Sequence, residues 1–457
     1  MQSGLERGFR YFKVSPIKAF RDIRHVSVDK VFATGRFRHV NSCKKANRNK
    51  KQIISWCLFD FANSSYSAVI ASVIFPVYYA NWIVGNEAGD GDLWWGRAIS
   101  LSMAITAFTS PFLGGIADYG GLRKRFLLFY TALCISMTAC LSLLEKGMVL
   151  EGFFLILLAN IGMEGGIVFY NSFLPEIAEK EYQGRVSAWG FGIGYGGSIL
   201  SLLLALPLVR SGYIVASGLV VALFFAFFSL PTFLYLPPDL KGKIPFWDSA
   251  LKGFRHAWKT FKEIWSRREP RKFLISYLIY EDGVNTVIVF SSIFAASTLG
   301  FRTEELISLY LLVQVTALIG AFLMARPIDY WGPKKVVILS LFLWTGVSTA
   351  AFFVSVKGLF FLIACIAGLG LGTVQAASRA FYAQFIPPDQ GSEYFGVYTL
   401  VGKSSAVFGP LIFGHLSATF HSQRPAILSI ALFFLLGLII ISFTRGGGPN
   451  VSADSEG

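Results

Sequence analysis

The sequence predicts an all-α membrane protein: twelve transmembrane helices in two pseudo-symmetric six-helix bundles. Its 457 residues are 54% hydrophobic and 15% charged, and the mean hydropathy is +0.56. Such a chain is too apolar for a soluble protein. Apolar runs of about 20 residues, the length that crosses a bilayer core, recur along it. A turn between two of these runs is repeated half a chain later, which indicates two homologous halves.

The predicted spans form two groups of six. The first group lies near 53–84, 93–117, 125–144, 152–174, 187–209 and 213–236, and the second near 272–297, 305–328, 335–356, 358–385, 394–418 and 424–444. The predicted domains are a basic tail expected to be disordered, a bundle, a linker, a second bundle and a disordered C-terminal tail, over 1–52, 53–237, 238–271, 272–445 and 446–457. Apolar residues of the linker recur at helical spacing, which predicts an amphipathic helix on the membrane surface; they are Phe254, Trp258, Phe261, Ile264 and Trp265.

Basic residues predict the orientation in the membrane. Residues 1–52 contain 14 of the 41 Lys and Arg, and the linker is also basic. Because short loops rich in Lys and Arg stay on the cytoplasmic side, we expect both termini in the cytoplasm and the protein in a bacterial-type inner membrane. A translation start near Val40 is an alternative that would omit most of the tail. The net charge of +14 then reflects topology and attraction to anionic lipid, and no nucleic-acid partner is needed.

The repeated turn reads Gly-Gly-Ile-Ala-Asp-Tyr-Gly-Gly-Leu-Arg-Lys-Arg over 114–125 and Ala-Arg-Pro-Ile-Asp-Tyr-Trp-Gly-Pro-Lys-Lys over 325–335. Glycines let helix ends approach, a carboxylate can face a helix N-terminus, and basic side chains anchor at headgroups. The turn resembles the loop signature of the major facilitator superfamily, Gly-x-x-x-Asp-x-x-Gly-x-[Arg/Lys]-[Arg/Lys]. Two copies at half-chain spacing make the resemblance specific. The expected gating residues are Gly115, Asp118, Arg123, Lys124, Asp329, Gly332, Lys334 and Arg379.

Polar side chains inside the spans indicate a pathway for a solute or ion, because such groups are costly in lipid. Asp60 and Asn63 share a face of the first span, and Asp282 and Asn285 repeat their spacing in the seventh. Faces at equivalent places in two halves are expected to line a cavity between them. The alternative is that each carboxylate only binds a neighbouring helix and fixes packing. Further candidates, with packing or snorkelling as the alternative, are Glu281, Gln314, Gln375 and Lys403.

Two charged residues have no evident partner in sequence. Glu164 lies near the middle of the fourth span without a basic residue within one turn, which suits proton coupling; a structural hydrogen bond to a carbonyl is the alternative. Arg379 lies two turns before Pro387 in the tenth span. We expect it near the cytoplasmic end, where pairing with Asp329 or Glu393 would close a gate in the outward-open state. Direct binding of an anionic substrate is the alternative.

Further stretches narrow the resemblance within the superfamily. The first span resembles the first-span signature of the vacuole-effluxer-like branch over Trp56-Cys57-Leu58-Phe59-Asp60-Phe61-Ala62-Asn63-Ser64, continuing to Phe75-Pro76-Val77-Tyr78-Tyr79. Two later stretches are also similar to that branch: Tyr280-x-Asp282-Gly283 and Gln375-Ala376-x-Ser378-Arg379. The resemblance covers about 50–445. It implies a secondary transporter of a small polar solute, and the amino-acid efflux of eukaryotic members makes export of an amino acid or similar zwitterion the leading expectation.

A zwitterion needs an acidic partner for its ammonium group and hydrogen-bond donors for its carboxylate. Asp60, Glu164 or Asp282 could bind its ammonium group. Its carboxylate needs hydrogen-bond donors, which could come from Asn63, Asn285, Gln314 or Gln375.

Several other functions find little support. The five cysteines lack metal-ligand spacing, no nucleophile–base arrangement is visible, and no phosphate-binding Gly-x-x-x-x-Gly-Lys-[Ser/Thr] motif occurs. We therefore expect no enzyme activity, metal or cofactor. The expected partners are the solute, possible H⁺ as coupling ion and the bilayer, with a monomeric protein. The alternative from another class is a non-transporting membrane sensor or scaffold, in which aromatic side chains would block the cavity.

Overall fold

The computed structural model describes residues 39–85, 90–239, 246–387, 390–406, 408–420 and 422–445. The chain divides at Arg48, and the residues from Asn49 onward form one compact unit. The first helix begins at His39, so the end of the predicted tail is helical rather than disordered. The predicted tail segments 1–38 and 446–457 lie outside the described residues.

The described secondary structure is helical. The first half contains α1 (His39–Ser65), α2 (Asp90–Gly120), α3 (Arg123–Cys140), α4 (Val149–Ser172), α5 (Gln183–Arg210) and α6 (Ala216–Tyr235). The linker contains α7 (Phe246–Ser266). The second half contains α8 (Arg268–Ser297), α9 (Thr303–Trp331), α10 (Pro333–Phe353), α11 (Lys357–Ala383), α12 (Gly391–Ser404), α13 (Phe408–Phe420) and α14 (Gln423–Ser442).

The first span does not end with α1. It continues through wide π-helical turns, Tyr66–Val73 and Tyr79–Val84, separated by the single helical turn Phe75–Tyr78. Pro76 lies at the start of that turn. Because proline has no amide N–H, it interrupts the regular hydrogen-bond pattern of the helix at this point.

The all-α membrane fold is confirmed, with one difference in the second half. Among the described residues, eleven helices are long and apolar enough to cross a membrane. The predicted eleventh span, 394–418, corresponds to the two shorter helices α12 and α13. Two features favour this division: Pro410 has no N–H to donate, and the Asp282 carboxylate accepts a hydrogen bond from Gly409 N at 2.8 Å. A side chain of α8 thus satisfies a donor in the first turn of α13.

The two halves meet along two equivalent helix pairs, α2 with α12 and α5 with α9. A Cβ atom at Gly114 would lie 2.3 Å from the carbonyl oxygen of Ser392, and one at Gly184 would lie 2.3 Å from Cγ2 of Ile328. Only glycine permits contacts this close. The halves are therefore tightly packed at the end of the bundle that carries the turns at Gly121 and Gly332, which we call the loop end.

The aspartate of each repeated turn binds the N-terminus of a helix in the opposite half. Asp118 Oδ2 accepts from the backbone N–H of Glu393 in the first turn of α12, at 2.9 Å. Asp329 Oδ1 accepts from the backbone N–H of Arg185 in the first turn of α5, also at 2.9 Å. A carboxylate at a helix N-terminus satisfies free N–H groups and complements the helix dipole. The two contacts close the loop end in the same way in both halves.

The lysines after the turns also make matching contacts. Lys124 Nζ donates to the carbonyl oxygen of Leu236 after α6, and Lys334 Nζ donates to that of Ser442 at the end of α14, each at 2.9 Å. A positive charge at a helix C-terminus is stabilising. The repeat in the sequence thus corresponds to a repeat in the contacts.

Candidate functional site

A cavity of about 880 Å³ lies between the two halves, away from the loop end. The first half contributes Asp60 and Asn63 to its lining, and the second half contributes Gln314, Gln375 and Arg379. Small-molecule sites typically have volumes of about 300–1,000 Å³. The cavity is therefore large enough for a small solute, and both halves would contact it.

Arg379 forms the floor of this cavity and joins four helices. Its Nε donates to Ser187 Oγ at 2.8 Å, and its Nη2 donates to the Ser187 carbonyl oxygen at 2.7 Å. Its Nη1 lies 3.2 Å from Asn171 Oδ1 and 3.4 Å from Asp60 Oδ2. The residue is 3% exposed. The planar guanidinium of α11 thereby links α1, α4 and α5 of the opposite half.

Aromatic rings surround the same guanidinium. Its central carbon lies 4.0 Å from the ring centroid of Phe191 and 4.7 Å from that of Trp56, distances at which the ring faces attract a cation. Trp56 stacks on Tyr170 with 4.5 Å between centroids and donates its indole N–H to the Tyr170 carbonyl oxygen. These contacts hold a positive charge in a fixed place below the cavity.

The position of Arg379 corrects the predicted gate. Arg379 does not pair with Asp329 or Glu393; it pairs with Asp60. Asp329 pairs with Arg185, and Glu393 binds side chains of the linker helix α7. The sequence does not reveal the Asp60–Arg379 contact, because 319 positions separate the two residues and their helices meet only across the interface.

The polar pair of the seventh span also differs from the prediction. The Asp282 carboxylate binds Gly409 N, and Asn285 Nδ2 donates to Ser405 Oγ at 3.2 Å. Both side chains therefore fix the break between α12 and α13 instead of lining the cavity described above. Within the described residues, the helix beside this span is broken in the second half, whereas its counterpart α5 in the first half is continuous, so the pseudo-symmetry is lost here.

Glu164 is not unpaired as predicted. Its Oε2 lies 2.7 Å from Lys403 Nζ, so the pair connects α4 of the first half with α12 of the second. Lys403 also interacts electrostatically with Glu281 of α8. One carboxylate thus forms an ion pair with the ammonium group, and a second interacts with it electrostatically without an ion pair among the described contacts. The search within one helical turn missed Lys403 because the partner comes from the other half.

Some site residues were missed by sequence reasoning. Tyr195 donates its hydroxyl to Gln375 Oε1 at 2.6 Å across the interface, and Asn171 and Ser187 bind Arg379. Asn171 is an amide within a span, so the search that found Asn63 could have found it. Tyrosine and serine are common where helices pack together, so nothing in the sequence distinguishes Tyr195 and Ser187 from residues that serve only packing.

The chain is similar to one known family and to several known proteins. The model of the family described as "Vacuole effluxer Atg22 like" matches residues 97–446. An uncharacterized MFS-type transporter, YxiO of Bacillus subtilis (strain 168), is 28% identical over 87% of this chain and 95% of its own length. Autophagy-related protein 22 of Coccidioides immitis (strain RS) is 22% identical over 86% of this chain and 79% of its own length.

Solved structures agree with the fold. The human organic anion transporter MFSD10 matches with a TM-score of 0.71 and 15% identity, over 86% of this chain and 99% of that protein. FucP, a major facilitator superfamily transporter in the outward conformation, matches with a TM-score of 0.65 and 15% identity, over 87% of this chain and 98% of that protein. At this identity the likeness shows the fold alone. The family match extends over most of the chain, and the chain belongs to the vacuole effluxer Atg22-like family of major facilitator superfamily transporters, which are not enzymes.

Proposed function

We propose that this transporter exports an amino acid or a similar zwitterion across the cytoplasmic membrane by alternating access. The observation that carries the proposal is the floor of the cavity, where the Asp60 carboxylate and the Arg379 guanidinium lie 3.4 Å apart. An α-amino acid carries the two complementary charges on groups attached to the same carbon atom. One site can therefore bind both ends of it.

The Asp60–Arg379 pair is loose enough to be exchanged. Charge-assisted hydrogen bonds between N⁺–H and O⁻ are about 2.7–2.9 Å long, and this contact is 3.4 Å. A zwitterion entering between the two groups would replace one long contact by two shorter ones. Asn63 and Gln375 line the same cavity and offer further polar contacts to the solute.

The walls above the floor favour an apolar side chain on the solute. They include Val287, Phe290, Leu309, Val313 and Phe360. A charged side chain would lose its hydration against these residues without gaining a partner. Among amino acids we therefore expect apolar and aromatic ones to bind best.

The proposed transport cycle starts from the conformation in the structure, in which the loop end is closed. If the basic loop end faces the cytoplasm, the structure is open toward the outside and closed toward the inside. Rocking of the halves would break the Asp118 and Asp329 contacts and expose the floor to the cytoplasm, where an exported solute enters. The open volume of the cavity favours transport over the sensor alternative, in which aromatic rings would fill it.

Coupling to H⁺ is proposed at the Glu164–Lys403–Glu281 cluster. With both carboxylates ionised and the lysine protonated, the cluster has a net negative charge, which one proton would neutralise. Since the Glu164–Lys403 pair joins the halves, protonation would weaken a contact between them. The proton would thus favour movement of one half against the other.

A thermal-shift screen tests the proposal. The purified protein is heated with amino acids, short peptides, sugars and organic acids at two pH values, because a solute that binds the folded state raises the melting temperature. We expect shifts with apolar amino acids, which Asp60→Asn abolishes. Asp90→Asn, at an exposed position outside the cavity lining, is the matched control and should keep the shifts. A well-folded protein that responds to no solute in the panel would favour the sensor alternative.

A further inference from the structure

The linker helix α7 has three distinct faces. Its inner face is buried and includes Gly253, Ala257, Thr260 and Ile264. On one flank Trp258, Phe261 and Trp265 form a stacked row, with ring centroids 5.9 and 6.2 Å apart. On the side away from the protein lie four exposed basic residues spaced three or four apart, Lys252, Arg255, Lys259 and Lys262.

The inner face is held against the first half by backbone contact. A Cβ atom at Gly253 would lie 2.7 Å from the Cα of Ile116, and one at Gly115 would lie 2.7 Å from the Gly253 carbonyl oxygen. Two glycines thus allow α7 and α2 to touch directly. The helix therefore has a fixed orientation on the loop end, which determines where its other two faces point.

The same helix also binds the second half, through Glu393. His256 Nδ1 lies 2.8 Å from Glu393 Oε1, and Thr260 Oγ1 donates to Glu393 Oε2 at 2.5 Å. Glu393 is 2% exposed, and its backbone N–H is the group that Asp118 accepts from. The helix α7 therefore connects the two halves at the contact that closes the loop end.

The outer faces have the chemistry of a membrane interface. Trp258 is 50% exposed and Trp265 is 43% exposed. Exposed tryptophans beside a basic stripe are typical of helices lying in the headgroup region, where the rings enter the boundary and Lys and Arg meet anionic lipid. The charges complement a lipid surface, and the aromatic row lies between the basic stripe and the face packed on membrane-spanning α2.

We propose that the outer face of α7 binds anionic phospholipid headgroups and that this binding holds the loop end closed. Lipid attraction keeps α7 at the membrane surface, and α7 in turn keeps Gly115 and Glu393 together. Opening of the loop end separates the halves that α7 connects, so it would strain either the lipid contact or the contacts to Glu393. Anionic lipid would therefore favour the closed loop end. The inference uses the proposed orientation only to name the leaflet, which is the cytoplasmic one.

The test measures opening of the loop end without any solute. Ser392 is fully buried against Gly114, so a cysteine in Ser392→Cys reacts with a thiol reagent only when the halves separate there. The full-length variant is placed in nanodiscs of phosphatidylcholine, with or without phosphatidylglycerol, and alkylation of this position is followed by mass spectrometry. We expect severalfold slower alkylation with phosphatidylglycerol, and loss of the difference at high salt.

Charge variants in the Ser392→Cys background locate the effect. In Lys259→Gln/Lys262→Gln most of the severalfold lipid dependence should be lost, since each basic residue near an anionic surface contributes about fivefold to the attraction. Lys146→Gln/Arg210→Gln removes the same charge at exposed positions near the opposite end and should behave as wild type. Equal lipid dependence in both double variants, or none in wild type, would overturn the inference. Neither outcome bears on solute binding, so the proposed export function is tested separately.

Discussion

At the scale of single residues, the site depends on the planar fork of Arg379. One guanidinium binds the side chain and carbonyl oxygen of Ser187, the amide of Asn171 and the carboxylate of Asp60. A lysine ammonium carries the same charge but cannot reach several partners in one plane or stack on Phe191 in the same way. The geometry, rather than the charge alone, would orient a solute carboxylate.

We therefore expect Arg379→Lys to lower transport by about tenfold or more, because hydrogen bonds to charged groups contribute about 1.5–3 kcal/mol each. Uptake and thermal unfolding are measured together, so that loss of folding can be separated from loss of transport. Arg210→Lys, at an exposed position, is the control. Full transport by a well-folded Arg379→Lys variant would show that charge suffices and that the fork has no special role.

Sequence reasoning identified the types of residue but often not their partners. It identified Asp60, Glu164 and Arg379 from their cost in a membrane, and each is indeed in an ion pair. It gave Arg379 the wrong partners and Glu164 none, because spacing along the chain does not show which helices of the two halves meet. Arg379 binds a residue of the first span and Glu164 one of the eleventh, and such contacts depend on how the two halves pack.

At the scale of helices, each copy of the repeated turn places an aspartate at the N-terminus of a helix in the opposite half. Asp118 caps α12 and Asp329 caps α5, each across the interface. This arrangement was only partly predictable. The sequence showed two equivalent carboxylates near helix ends, and the structure supplies the helix that each one caps. The broken helix pair α12 and α13 was not predicted, because the apolar run is interrupted there by only three polar residues, 403–405, which are too few to mark the end of a span.

We expect Asp118→Asn and Asp329→Asn each to slow turnover severalfold while leaving solute affinity within about twofold. Asparagine keeps an acceptor oxygen but loses the charge that complements the helix dipole, a term of about 0.3–1 kcal/mol, and the ion pair to arginine. Turnover is measured in vesicles and affinity by thermal shift. A large loss of affinity in either variant would place that aspartate in the binding site.

The charged cluster between α4, α8 and α12 gives another test at this scale. If Glu164 carries the coupling proton, Glu164→Gln should abolish proton-driven uphill transport while exchange of solute across the membrane continues. Uphill transport and exchange are measured in the same vesicles, with and without an imposed pH gradient. Undiminished uphill transport by the variant would exclude Glu164 as the coupling group.

At the scale of the whole molecule, composition and the repeat determined the fold, because burial in lipid constrains every span in the same way. Most helices were predicted with boundaries within a few residues of those observed, except that the first begins at His39 and the eleventh is divided in two. The two halves pack as the repeat implied. The cavity was inferred from symmetry, yet its floor is asymmetric: the carboxylate comes from the first half and the guanidinium from the second. If the carboxylate and the guanidinium both bind the zwitterion, solute binding depends on how the two halves are placed relative to each other.

Counterflow tests recognition of a zwitterion at the floor of the cavity. Vesicles containing the protein are loaded with an unlabelled apolar amino acid, and entry of the labelled compound is measured without any ion gradient. We predict transient accumulation with wild type, none with Asp60→Asn, and no uptake of analogues that lack either the ammonium or the carboxylate group. Equal accumulation by wild type and Asp60→Asn, or equal uptake of the analogues, would contradict recognition of a zwitterion at the Asp60–Arg379 floor.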